Sequence, residues 1–275
     1  MNSHRYRWTT PDDRHSFGRG TSVRNAALGP VVADPEVNSK PNANSMSAWA
    51  VHAFTATGVV LAFLATLAAV RDETGEALAW LAVALLVDGI DGSLARAADV
   101  KGRLPRVDGD ALDLVIDYLT YVFIPALLLW RGDYFPPDVA LPLVAAILIS
   151  SLYVFARRDM KTDDGYFRGF PALWNVVVLY LFVTQPTPWL AAAASALLVI
   201  LTFAPVHVVH PFRVKDYGLM LPVLAVIWAV ATGALIVPLA EGTRSIRLAV
   251  SVAATVAILA MGLARTIRGP RPPRQ

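Results

Sequence analysis

Glu76-Ala77-Leu78-Ala79-Trp80-Leu81-Ala82-Val83-Ala84-Leu85-Leu86-Val87-Asp88-Gly89-Ile90-Asp91-Gly92-Ser93-Leu94-Ala95-Arg96 is an apolar run that ends in two aspartates. A hydrocarbon core is crossed by about 20 such residues in a helix. Wound as a helix, the run places Asp88, Asp91, Gly92, Ala95 and Arg96 on one stripe of its surface. A second stair, Gly109, Asp113 and Asp117 at four-residue steps, opens the next apolar run. Gly102 and Pro105 in between are expected to break the helix and turn the chain back. The two stripes then face each other as antiparallel neighbours. Four carboxylates converge on a pocket at one membrane face.

Composition agrees with a membrane protein. Of the 275 residues, 56% are hydrophobic and only 16% are charged, against about 25% charged in ordinary soluble domains. This excludes a soluble globular chain, and nothing points to nucleic acid as a partner. The absence of cysteine excludes disulfides and thiolate metal sites. Residues 1–46 have no sustained apolar run and read as a disordered polar tail. Residues 47–265 form the membrane domain, and 266–275 a short basic tail. Within the domain the expected spans are 50–70, 76–95, 111–130, 138–156, 170–184, 188–209, 217–238 and 245–264.

The loops orient these eight helices. With both termini cytoplasmic, twenty of the 24 Lys and Arg fall on the inner side, leaving only Arg71, Arg131, Arg244 and Arg247 outside. That asymmetry follows the positive-inside rule. The fold class is therefore all-α, a polytopic membrane protein with eight transmembrane helices and its aspartates facing the cytoplasm.

Each residue type in the cluster has a chemical reason to be there. Carboxylates crowded together need cations, and hard divalent ions prefer oxygen ligands and carry phosphates with them. Gly92 and Gly109 leave the backbone open to a nucleotide or diphosphate. Arg96 offers a planar fork to phosphate. Four aspartates on two facing stripes exceed what ordinary helix-end ion pairs require, given the cost of charge near hydrocarbon.

The pattern Asp88, Asp91, Gly92, Ala95, Arg96, Gly109, Asp113 and Asp117 resembles the signature of the CDP-alcohol phosphotransferases. The spacer of twelve residues between Arg96 and Gly109 is longer than in most of that family and resembles the bacterial phosphatidylcholine synthase branch. So do the stretches Ala50-Val51-His52-Ala53-Phe54-Thr55, Gly169-Phe170-Pro171-Ala172-Leu173-Trp174-Asn175 and Pro205-Val206-His207-Val208-Val209-His210-Pro211. The resemblance covers about residues 48–265.

It implies transfer of a phosphatidyl group from CDP-diacylglycerol to choline in a bacterial inner membrane. Asp88, Asp91, Asp113 and Asp117 would hold two Mn or Mg ions. Gly92, Ala95, Arg96 and Gly109 would line the CDP-diacylglycerol site, and Asp117 would act as general base. It also implies a homodimer. The trimethylammonium of choline has no N–H, so aromatic faces must select it. Tyr118, Tyr121, Phe170 and Trp174 are the candidates near the inner face, with Trp174 foremost. His207 and His210, read as one helical turn apart at the end of the sixth span, suit a boundary or head-group role. The alternative acceptors are serine, a glycerol phosphate or an inositol phosphate. A cation transporter is the alternative of a different class, but it predicts acids near mid-membrane and inverted repeats.

Overall fold

The computed structural model describes residues 43–104, 107–237 and 241–270; the expected N-terminal tail lies almost wholly outside them. Helix α1 (Ala43–Val70) packs against α2 (Thr74–Ala97). Buried Ala62, Ala65, Ala68 and Ala69 on α1 and Ala77 on α2 mark the contact. Small side chains let helix backbones approach, which matters in lipid, where no hydrophobic force drives helices together. At Gly58 of α1, a Cβ would stand only 2.6 Å from Ile116 Cγ2. At the α1–α2 turn, Arg71 pairs with Glu73 and Glu76, and Arg131 reaches Asp72 at 2.7 Å. These two arginines are among the four expected on the outer side.

After α2 the chain turns at Asp99, whose φ is 47°, and forms one short helical turn, α3 (Val100–Arg103). Gly102 therefore sits inside a turn of helix instead of breaking one, and Pro105 lies outside the described residues. Buried Val100 packs with Ala48 and Val51 at the start of α1. Helix α4 (Gly109–Asp117) is capped by Asp108, which accepts from the amides of Asp110 and Ala111, both at 3.1 Å. That satisfies two of the free donors at a helix start.

The same rod continues through a π-helical segment, Tyr118–Phe123, into α5 (Ile124–Arg131). Pro125 explains the wider winding: it lacks the N–H that would bond Tyr121, and its ring crowds that carbonyl. Helices α6 (Pro137–Ala156), α7 (Trp174–Thr184), α8 (Pro188–Phe203), α9 (Met220–Ile236) and α10 (Arg244–Arg268) follow. Prolines suit the starts of α6 and α8, where the first amides have no intrahelical partner.

Among the described residues, five helical rods are long and apolar enough to cross a membrane, and α7, α8 and α9 are shorter apolar helices. Large apolar side chains face outward, with Ile149 70% and Val230 67% exposed. A lipid-facing surface accounts for that; a water-facing one would not. The core joins Leu78 and Leu81 of α2, Ile124, Leu128 and Leu129 of α5, Ile147 of α6, and Trp174 and Val178 of α7. Across α7, α9 and α10, the Tyr180 hydroxyl lies 2.6 Å from Ser251 Oγ and 2.7 Å from Thr255 Oγ1, and accepts from Trp228 Nε1 at 3.1 Å.

Two expectations need correction. The fold is helical but not purely so, because β1 (Tyr166–Arg168) pairs antiparallel with β2 (His207–Val209). The sixth span ends at Phe203, so His207 lies in a strand and His210 follows it; they do not share a helix face. Glycine permits this packing: at Gly169, φ is +82°, and a Cβ there would collide with the Thr202 carbonyl. A side chain at Gly262 of α10 would likewise strike the His207 carbonyl.

Candidate active site

The α1–α2 and α1–α4 contacts, with the spacer folded against the head of α1, bring α2 and α4 together at one end of the molecule. Asp88, Asp91 and Asp113 each present a carboxylate oxygen there, all within 4.8 Å of one another. The two stripes do face each other. Asp91 is buried, and Asp88 and Asp113 are half-buried. An all-oxygen donor set of this compactness could bind a hard divalent cation.

Asp117, one turn further along α4, is close enough to Asp88 for the two carboxylates to interact, and so extends the cluster inward. The Tyr121 hydroxyl donates to Asp88 Oδ2 at 2.6 Å. This contact fixes one carboxylate of the triplet from the π-helical segment. From α1, the Thr55 side chain approaches Asp91.

The other signature residues line this end. The Arg96 guanidinium bonds Ser93 Oγ at 3.0 Å and lies over Gly92, where a Cβ would stand 3.5 Å from Nη1. Arg96 itself is exposed, free to reach an anion. Ala95 packs against the small cluster of Ala48, Val51 and Val100. Gly109 abuts His52: a Cβ there would lie 2.9 Å from His52 Cε1.

The four aromatic candidates separate into two groups. Tyr121 touches the aspartates directly, while Tyr118 gives its hydroxyl to the Leu148 carbonyl at 3.1 Å and stands edge-on to Phe155. Trp174, in contrast, has no exposed surface, and its indole N–H donates to Ser151 Oγ at 2.9 Å. Phe170 stands edge-on to it at 5.3 Å. The structure gives Trp174 a packing role at the start of α7. The chain before it takes positive φ at Gly169 and Ala172.

A cover of loop and strand residues stands beside the aspartates. Lys161 Nζ lies 5.1 Å over the Phe167 ring, which stacks on His210 at 5.4 Å. Burial and neighbouring Arg213 pull Lys161 below its usual range, and the carboxylates of Asp117, Asp113 and Asp88 oppose that shift. Burial first, then Lys161 and Arg213, lowers His210 to about 4, so its ring is uncharged at neutral pH. The cover is tied to the end of α10 by Arg265 Nε donating to Asp164 Oδ2 at 2.6 Å, with Tyr166 donating to Asp216 at 3.0 Å. Sequence reading gives no role to Thr55 or the Tyr121 hydroxyl. An uninterrupted apolar pattern carries no signal for such cross-helix contacts.

Nearer its start, α2 borders an apolar cleft shared with α7 and α9, lined by Leu78, Leu81, Leu85, Leu86, Leu179 and Ile236 among others. Leu85 and Leu86 lie within one turn of Asp88, so hydrocarbon-compatible surface begins where the polar pocket ends.

Comparison with known proteins gives a consistent set of relatives. The chain is 48% identical over 194 residues to a protein of Pseudomonas aeruginosa named phosphatidylcholine synthase, covering 70% of this chain and 82% of the relative. The protein of that name from Bradyrhizobium diazoefficiens is 46% identical over 184 residues, 67% of this chain and 69% of its own length. The one from Rhizobium meliloti is 43% identical over 183 residues, 66% and 76%. No protein-family model matches the chain.

Proposed function

The chain belongs to the phosphatidylcholine synthase family, and from that premise we propose how its aspartate pocket works. The protein is an integral membrane phosphatidyltransferase that joins a phosphatidyl group to choline. The likeness to named phosphatidylcholine synthases, at 48% identity over most of both chains, carries this conclusion. In this reading the donor is CDP-diacylglycerol, the products are phosphatidylcholine and CMP, and the pocket opens to the cytoplasm of a bacterial inner membrane. All eight apolar segments count as spans, the three shorter ones included. The assembly is a homodimer, as the resemblance implies, and residues 1–46 are a dispensable tail.

Asp88, Asp91 and Asp113 would hold a divalent cation, Mn or Mg, with Asp117 supplying further oxygen for a second. When bound, the metal offsets the diphosphate charge and stabilises the charge developing on the leaving CMP. Gly92 keeps room beside the backbone for the nucleotide, Gly109, packed on His52, lines the same site from the head of α4, Arg96 offers its fork to a phosphate, and Ala95 packs the wall behind them. The lipid chains remain in hydrocarbon alongside α2, where the apolar cleft begins next to Asp88.

Choline brings a hydroxyl that must lose a proton as its oxygen attacks the phosphorus bearing the diacylglycerol. Asp117 is the base in this reading, because it is the innermost carboxylate of the stair and adjoins Asp88. Tyr121 and Tyr118 offer the ring faces nearest this position for the trimethylammonium. Tyr121 is favoured, since its hydroxyl already meets Asp88.

The Asp117→Asn variant tests the assignment. It keeps the shape and removes both a ligand charge and the base. Turnover should drop by about 10²-fold or more, while the protein still inserts and retains part of its CDP-diacylglycerol binding. Near-normal turnover contradicts both roles.

A further inference from the structure

Asn175, the second residue of α7, is only 6% exposed and lines the apolar cleft between α2, α7 and α9. Its Oδ1 accepts from the Val176 amide at 2.9 Å. The amide nitrogen, on the other arm of the group, makes no hydrogen bond among the described residues. It is not sealed either: the enclosed side-chain atoms without a partner, among those residues, are His52 Nε2 and Ser195 Oγ. Its open side is the cleft. Two further polar side chains on the cleft wall are committed elsewhere, Trp228 Nε1 to the Tyr180 hydroxyl at 3.1 Å and Thr232 Oγ1 to Ser251 Oγ at 2.6 Å. The carboxamide of Asn175 is therefore an uncommitted donor in an otherwise apolar wall. An amide donor facing hydrocarbon is costly to leave unpaired, because no water is there to take the bond.

The position of that donor selects its acceptor. Helix α2 ends at the aspartates, and α7 starts from the loop that carries their cover, so Asn175 stands at the aspartate end of the cleft. Leu86 and Leu85, which share the cleft wall with it, precede Asp88 by two and three residues, about 3–4.5 Å along the helix axis. A phosphatidyl group whose phosphorus is held at the aspartates must pass this level with its glycerol. The glycerol bears two ester carbonyls a few bonds from the phosphorus, and these accept hydrogen bonds and donate none. The acyl chains beyond them carry no polar group, while the phosphate oxygens and the choline hydroxyl belong at the carboxylates. Resting on the phosphatidyltransferase reading above, we propose that the Asn175 amide donates to an ester carbonyl of the lipid donor, with the attached acyl chain lying beyond it in the cleft. Asn175 is a binding residue in this account and sets the donor's depth; it takes no part in proton transfer.

The test uses purified full-length protein in detergent with two donors, CDP-diacylglycerol and its ether-linked analogue CDP-dialkylglycerol, which lacks both carbonyls. Affinity is read by thermal shift without choline, and KM by CMP release with choline. Wild type should bind the ester lipid about tenfold more tightly than the ether lipid, the size of one hydrogen bond to a buried donor. Asn175→Leu keeps a similar shape and leaves the Val176 amide on the Leu173 carbonyl at 3.2 Å. It should abolish the difference between the two lipids and raise the KM for the ester lipid about tenfold, with the choline KM unchanged within about twofold. A purely structural role would instead weaken both lipids together. Equal wild-type affinity for the two lipids overturns the proposal, as does a preference that survives in Asn175→Leu. If that variant does not fold, Asn175→Ala takes its place under the same criterion. A bystander phospholipid as the occupant would show as an added ester phospholipid that stabilises wild type but not the variant, with the preference between the two donors unaltered, and that also overturns the proposal. If neither CDP lipid stabilises wild type, the parent reading of the donor falls and this inference with it. A protein that prefers the ester lipid through Asn175 but does not use choline loses the parent reading of the acceptor and keeps this inference.

Discussion

Removing one oxygen atom, in Tyr121→Phe, probes whether the aspartate triplet is a metal site. The hydroxyl donates to Asp88 Oδ2 at 2.6 Å, and the ring is only 8% exposed, so the substitution preserves packing and deletes the contact. A hydrogen bond to a charged group contributes about 1.5–3 kcal/mol. Removing an outer partner of a metal ligand typically lowers metal affinity about 10–100-fold, equivalent to roughly 1.4–2.7 kcal/mol. The two ranges agree, so the variant should need about 10–100-fold more Mn or Mg for half-maximal activity. At saturating metal most of the turnover should return. A competing effect has the opposite sign: losing the donor frees a lone pair of Asp88, which by itself would ease metal binding. Fixing the carboxylate outweighs this, because Asp88 must also meet Asp91 and Asp113 within the 4.8 Å cluster. The assay is phosphatidylcholine formation by purified protein across a metal titration. An unchanged or lowered metal requirement in a folded variant refutes the argument.

Three further outcomes are expected. Trp174→Phe should lower stability by about 1–3 kcal/mol by stranding buried Ser151, measured as a melting shift, and leave the choline KM within about twofold; a choline KM raised tenfold would return Trp174 to the substrate site. His210 is held near 4 in the folded protein, against about 6.5 when unfolded. The unfolded chain therefore takes up a proton between those values that the folded ring refuses, and stability falls as pH drops through that window. His210→Gln should flatten the loss in melting temperature between pH 7 and pH 5, and an identical slope in the variant would contradict the assigned environment. Deleting residues 1–40, which carry no packing pattern, should leave specific activity in detergent nearly unchanged; lost catalysis in a correctly inserted deletion variant would give the tail a role.

The aspartate pocket was legible in the sequence because helices convert spacing into direction. Steps of three and four residues put Asp88 and Asp91, then Asp113 and Asp117, on single faces, and an intervening turn was enough to oppose them. The apolar helices were equally legible, since each needs a long run without charge. What stayed hidden depends on contacts between distant segments. Tyr166–Arg168 and His207–Val209 are too short to show a strand pattern, and only their pairing makes them strands. The register change at Tyr118–Phe123 arises from Pro125 acting one turn back, within an otherwise ordinary apolar run. For Trp174, closeness to the expected membrane face said nothing about which way the ring turned; its full burial and its bond to Ser151 depend on a distant helix.

The most direct test of the account supplies purified full-length protein with CDP-diacylglycerol, Mn or Mg, and a panel of labelled alcohols: choline, serine, glycerol phosphate and inositol phosphate. The account predicts that label enters lipid from choline, with one CMP released per phosphatidylcholine formed, and that the other alcohols give little or none. Labelled lipid from another alcohol in preference to choline, or no metal-dependent CMP release with choline, would contradict it.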